Sequence, residues 1–310
     1  MNTQDQRIAA HNNWPIKEEF KAERAFREQM NLKSGLVPFK TFTLPQDRDP
    51  TYQKCVGHFV DALEALPYRP DYFFDHCFKV IDESARPLFS KQGIKGIVQG
   101  LAGKLLASSN QDWSTIIDAL GDRIPLMTCR YLAKRMLLVH GSNDDLDKQL
   151  SARIEKCMRK AVYDEFIGKF GTDAQGVRLT PASDAAINKA ASYLKIYLSG
   201  KQASKTRGSG YKLLDLKDQK NIPTHHQRIE FLLSVLLFTM RNERAHGGVL
   251  SPFRTSKATL DRYESYYFAM LCAYIFALGV LSLRGYGAIS AQAISSCTAN
   301  NLNLQKTFFV

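Results

Sequence analysis

The sequence predicts an all-α protein. Apolar residues recur at helical spacing across 51–170, and no stretch of any length alternates apolar and polar residues as a strand would. Two apolar runs, 231–240 and 266–283, read as buried helices.

Residues 1–50 read as an N-terminal arm. Between 15 and 33, charged residues surround Phe20, Ala22, Phe26 and Met30 at roughly helical spacing, which predicts one amphipathic helix. The stretch 34–50 holds three prolines and reads as an extended connector. Such an arm packs on its own domain or clasps a second subunit. Helices are then predicted over 51–66, 70–86, 92–107, 111–120, 124–140 and 144–169, as one helical domain spanning 51–170. Pro67 and Pro70 separate the first pair. Ser142-Asn-Asp-Asp is an N-cap cluster with acids in the first turn, where the helix dipole favours them. A linker over 171–182 leads to a second helical domain, 183–297, which opens with a helix over 183–198; 298–310 reads as a tail.

A chain of 310 residues with 45% hydrophobic and 23% charged residues can bury a substantial core and is not composed like a disordered protein. Its net charge of +12 favours a polyanionic partner, such as nucleic acid or an acidic protein. The six cysteines contain no CxxC pair, which argues against a disulfide framework or a zinc ribbon. With an N-terminus that lacks a secretory signal, they point to a cytoplasmic, reduced protein. The run 266–283 has no charge over eighteen residues, the threshold for a membrane span, but it carries three tyrosines, a cysteine and a glycine, and it stands alone. It is expected in a protein core, with no membrane partner.

The polar turn Arg241-Asn-Glu-Arg-Ala-His246 follows the first apolar run and precedes Gly247-Gly248. Asn242 and His246 stand four apart and share a helix face. Arg241 lies about 140° around an ideal helix from His246, within the swing of its long side chain. Gly247-Gly248 stops the helix and leaves an open approach. These groups suit an anion-binding or catalytic site, with Arg244 adding charge on the next turn. Lys201, Lys205 and Arg207 lie in a flexible basic loop that lacks the glycine spacing of a P-loop, and they are candidates for tracking phosphates. Arg135 and His140 repeat the arginine–histidine spacing and also precede a glycine, but Met136 replaces the polar residue. His225-His226 reads as the start of a helix. Asn143–Asp147 looks like a calcium loop only superficially, because Lys148 stands where the turn glycine belongs and Ile154 occupies the twelfth position. No metal and no cofactor are expected.

The motif Arg241-Asn242-x3-His246, between an apolar helix and a loop leading to a second long apolar helix, resembles the HEPN superfamily. The likeness covers about 180–295, and specifically 228–284. It implies a HEPN-like helical bundle in the C-terminal half, with the N-terminal helical domain as an addition. The family is usually dimeric, and many members are metal-independent ribonucleases, among them toxins and anti-phage factors; other members only bind. In a catalytic member, two motifs meet across a dimer interface to form one site. Carried to this chain, the resemblance implies an endoribonuclease. His246 is its acid/base, Arg241 stabilises the phosphate, and Asn242 orients His246 or holds a phosphate oxygen. The implied partners are RNA, a second copy of the chain and a restraining antitoxin or regulatory protein. The apolar helices 229–240 and 266–283 are expected to supply the dimer contact. A non-catalytic helical module that binds RNA, nucleotide or a partner protein is the alternative.

Overall fold

The computed structural model describes residues 2–89, 93–173, 175–205, 210–248, 251–287 and 289–310. The fold is all-α. Among the described residues the β pairing is confined to an isolated antiparallel bridge between Thr172 and Arg178. The chain forms two compact units, one of 1–85 with 240–310 and the other of 86–239.

The first unit opens with α1 (Thr3–Asn12), α2 (Lys21–Leu32), α3 (Pro50–Glu64) and α4 (Pro70–Ala85). The single helix expected over 15–33 starts only at Lys21, where Glu23 accepts a hydrogen bond from the Phe20 N–H. It buries Ala22 and Phe26, its N-cap residue Phe20 is buried as well, and a separate α1 precedes it. The connector is extended, as expected, and is held within its own unit. Asn301 pairs with both the N–H and the C=O of Lys40, and the Tyr274 hydroxyl accepts from the Phe42 N–H. Asp49 caps α3 by accepting from the N–H groups of Thr51 and Tyr52, with Pro50 in the first turn, where a missing N–H costs nothing.

The second unit holds α5 (Gly93–Ser108), α6 (Asn110–Arg123), α7 (Leu126–Val139), α8 (Asp145–Met158), α9 (Lys160–Phe170), α10 (Asp184–Ser199) and α11 (His225–Glu230). Asp144 caps α8, as its sequence cluster predicts. The helix expected over 144–169 is instead two helices, because Arg159 takes a left-handed φ of 68° that interrupts the hydrogen-bond ladder. A Cβ on Gly121 would meet the Leu198 carbonyl oxygen at 2.3 Å, so the approach of α6 to α10 requires glycine. After α11 the chain continues as a π-helical segment, Phe231–Leu237, and then as α12 (Phe238–Ala245), within which the units divide at Met240.

The last helices, α13 (Leu260–Leu283) and α14 (Ala291–Phe309), return to the first unit. By length and composition α13 could cross a membrane, but 83% of its most apolar window is buried inside the protein, against α4, α14 and α2. The expected tail is the end of α14, with Phe308 fully buried.

The division therefore differs from the one expected at 171–182. That linker turns back inside one unit: Arg178 donates to the Leu138 carbonyl, and α10 packs on α7. All six cysteines are free, and burial pushes the thiols of Cys129 and Cys157 up to about 12.

Candidate functional site

The Arg241 motif lies at the C-terminal end of α12. The Gly248 N–H donates to the Glu243 carbonyl at 2.8 Å and the Gly247 N–H to that of Arg244 at 3.3 Å, with Gly247 at a φ of 67°. This reciprocal pair of bonds around a left-handed residue is a Schellman ending. The His246 N–H still donates to the Asn242 carbonyl at 3.0 Å, so the imidazole is held one turn beyond Asn242 by the backbone.

Arg241 bends toward its neighbour, and its Nη1 donates to Asn242 Oδ1 at 3.1 Å. The amide oxygen is thereby used, and the amide nitrogen remains as a donor. The other N–H groups of the Arg241 fork make no bond among the described residues. His246 is exposed, and no hydrogen bond or ion pair engages its imidazole among the described residues.

Arg244 is differently placed. Its Nε and Nη2 donate to Asp75 at 2.8 and 2.5 Å, and its Nη1 lies 3.1 Å from Asp71. Asp71 is fully buried and also accepts two bonds from Arg69, whose guanidinium covers the Tyr72 ring at 3.6 Å. Burial alone would lower the basicity of Arg244, but the Asp75 bonds and the charges of both carboxylates raise it. The phosphate contact expected of Arg244 is thus replaced by an anchoring role, because its fork is filled by two carboxylates. Sequence reasoning missed Asp71 and Asp75. Their four-residue spacing was visible, but the partner lies more than 160 positions away.

A cleft of about 460 Å³ opens beside the motif, lined by Tyr72, Asp75, Phe78, Lys79, Asp82, Arg241, Arg244 and Ala245. His246 and Asn242 are not among its lining residues.

The other described sequence candidates lie in the second unit. Lys201 is exposed and paired with Asp122 at 2.6 Å, Lys205 is exposed, and Arg207 lies outside the described residues. Arg135 pairs with Asp147 at 3.4 Å and the His140 ring packs edge-on against Tyr163, so both take part in internal packing. His225 and His226 begin α11, behind a capping box formed by Thr224 and Gln227. The dimer contact expected of 229–240 and 266–283 is not available. Residues 229–240 and 266–281 are buried within the chain itself, because an apolar helix surface is satisfied by whichever partner covers it first.

The second unit contains a buried arginine that supports its π-helical segment. A π-helical turn offsets the hydrogen-bond ladder and leaves backbone carbonyls in need of donors. Arg153 Nε fills one, donating to the Ser234 carbonyl at 3.1 Å, while its Nη2 donates to Thr239 Oγ1 at 3.3 Å and its guanidinium lies 5.0 Å from the Phe238 ring centre. Burial holds the basicity of Arg153 below its usual value.

No protein-family model, curated protein or solved structure matches the chain.

Proposed function

We propose that the protein is a metal-independent endoribonuclease of HEPN type, with Arg241, Asn242 and His246 as its reacting groups. The observation that carries this reading is the chemistry at the end of α12. A guanidinium pre-aligned by its asparagine neighbour shares the end of α12 with an exposed imidazole, five positions on, that no internal bond competes for. Cleavage of RNA by its own 2′-hydroxyl needs a proton acceptor, a proton donor and positive charge at the phosphorane. Histidine titrates near neutrality and serves either proton role. Arg241 donates to the non-bridging oxygens, and the Asn242 amide nitrogen supplies a further neutral donor. Tyr72, exposed on the cleft wall, offers aromatic surface beside the motif, although Arg69 covers one face of its ring.

One motif supplies one imidazole, whereas 2′-O attack and 5′-O departure call for a base and an acid on opposite sides of the phosphate. A second copy of the chain, related by a two-fold axis through the site, would supply the other. The contact between copies would use surface other than the buried apolar helices. A toxin or anti-phage effector restrained by an antitoxin or regulatory protein is the cellular role in keeping with an unguarded RNase site.

A binding-only role is favoured by one observation, the absence of any side-chain bond that fixes the His246 ring among the described residues. Incubation of the purified protein with RNA in EDTA separates the two. The ribonuclease reading expects 2′,3′-cyclic phosphate ends and an intact DNA control. Retention of RNA without cleavage would leave only the binding role.

A further inference from the structure

The α3–α4 hairpin of the first unit gathers a second set of reactive side chains. His58 and Asp61 stand three positions apart on α3, hence on one face, and His76 comes from α4. One ligand atom from each lies within 4.8 Å of the other two. The His58 and His76 ring centres are 6.0 Å apart.

These groups are close without bonding to one another. His76 Nδ1 is 3.7 Å from Asp61 Oδ2, too far for a hydrogen bond. The same nitrogen is sealed from solvent and has no hydrogen-bond partner. A buried ring nitrogen left unpaired beside a carboxylate is costly unless something bridges the gap. Ligands bonded to a tetrahedral zinc ion at 2.0–2.2 Å stand roughly 3.3–3.5 Å from each other. Small side-chain rotations would bring all three atoms to that spacing.

We propose that His58, Asp61 and His76 form a binding site for a zinc-like divalent cation, with water in the fourth position. Two imidazoles and one carboxylate suit zinc and its late transition-metal neighbours, not magnesium or calcium, which take oxygen ligands. Of the charged neighbours, Lys54 is paired with Glu83 at 2.8 Å and Asp75 with Arg244, while the Lys79 cation opposes the ion. The ion ties α3 to α4, and α4 also carries Asp71 and Asp75, the seat of Arg244. Its role is therefore to brace that helix. It takes no part in the RNA chemistry proposed above.

The test is equilibrium dialysis of EDTA-stripped full-length protein against zinc chloride and, separately, magnesium chloride, with bound metal counted and thermal unfolding recorded. The expected result is one zinc per chain, a raised Tm with zinc and no change with magnesium. Cobalt(II) in place of zinc should give the visible bands of a four-coordinate centre. His76→Gln and Asp61→Asn should weaken zinc binding by about 100-fold or more, a loss at or beyond what an outer hydrogen-bond partner of a ligand accounts for. Asp61 is 59% exposed on its side chain, so Asp61→Asn tests the site even if the histidine variant unfolds. Failure to take up zinc at micromolar concentration, or uptake unchanged in a folded Asp61→Asn variant, would overturn the site.

Discussion

At the scale of single residues, two arginines three positions apart have opposite tasks. Arg241 is held by one neutral neighbour and keeps donors free, whereas Arg244 is consumed by Asp71 and Asp75. Removing Arg244 would leave the fully buried Asp71 with Arg69 as its remaining cation. Breaking a buried ion pair in this way costs about 3 kcal/mol. Arg244→Ala should therefore lower the stability measured by urea denaturation by about that amount, while Arg241→Ala should leave it nearly unchanged. Equal effects would mean that the two side chains are not divided as described. The motif itself was legible because Arg241, Asn242 and His246 are sequence neighbours whose relations follow from helix geometry. The task of Arg244 was not, since its partners come from α4, and no local pattern records a contact between distant stretches of chain. The pairing of His58 and Asp61 with His76 was hidden for the same reason.

At the scale of elements, the helix ends were legible wherever the chemistry is local. Prolines bound α3 and α4, Asp144 caps α8, and Gly247 ends α12 in a left-handed conformation. Arg159 shows the limit: nothing in its neighbourhood signals a positive φ, and one expected helix became two. The Schellman ending yields a prediction. A Cβ on Gly247 would meet nothing within 4 Å, so Gly247→Ala carries only the conformational cost of a left-handed alanine, about 1 kcal/mol. Much of that cost should appear as fraying of the last turn, which displaces His246 relative to Arg241. RNA cleavage should fall while the melting temperature shifts by only a few degrees. Cleavage at the wild-type rate would show that the ending does not position the imidazole.

At the scale of the molecule, the all-α fold was legible from periodicity, but the division into units was not. Composition marks 171–182 as a linker, yet the first unit is assembled from the two ends of the chain, and discontinuity of this kind leaves no trace in local sequence. In the second unit, burial first and Arg178 next hold the His140 imidazole below its ordinary value. The unfolded chain therefore takes up the proton more readily than the folded one, and stability contributed by the neutral ring is lost as pH falls from about 6.5 through the folded value. The stability lost between pH 7 and pH 5 should be smaller in His140→Gln than in the wild type, as read by denaturant midpoints; an equal loss would mean that His140 is not strained by protonation. If two copies complete one site, activity per chain should fall on dilution below the dimer dissociation constant, and a fully active monomer in sedimentation would exclude that assembly. The central claim concerns Arg241 and His246. The most direct measurement is the rate of RNA cleavage in EDTA by the wild type beside Arg241→Ala and His246→Ala, each shown to be folded by circular dichroism. The account predicts a loss of about 10²–10⁴ in each variant. Wild-type cleavage by both folded variants would contradict it.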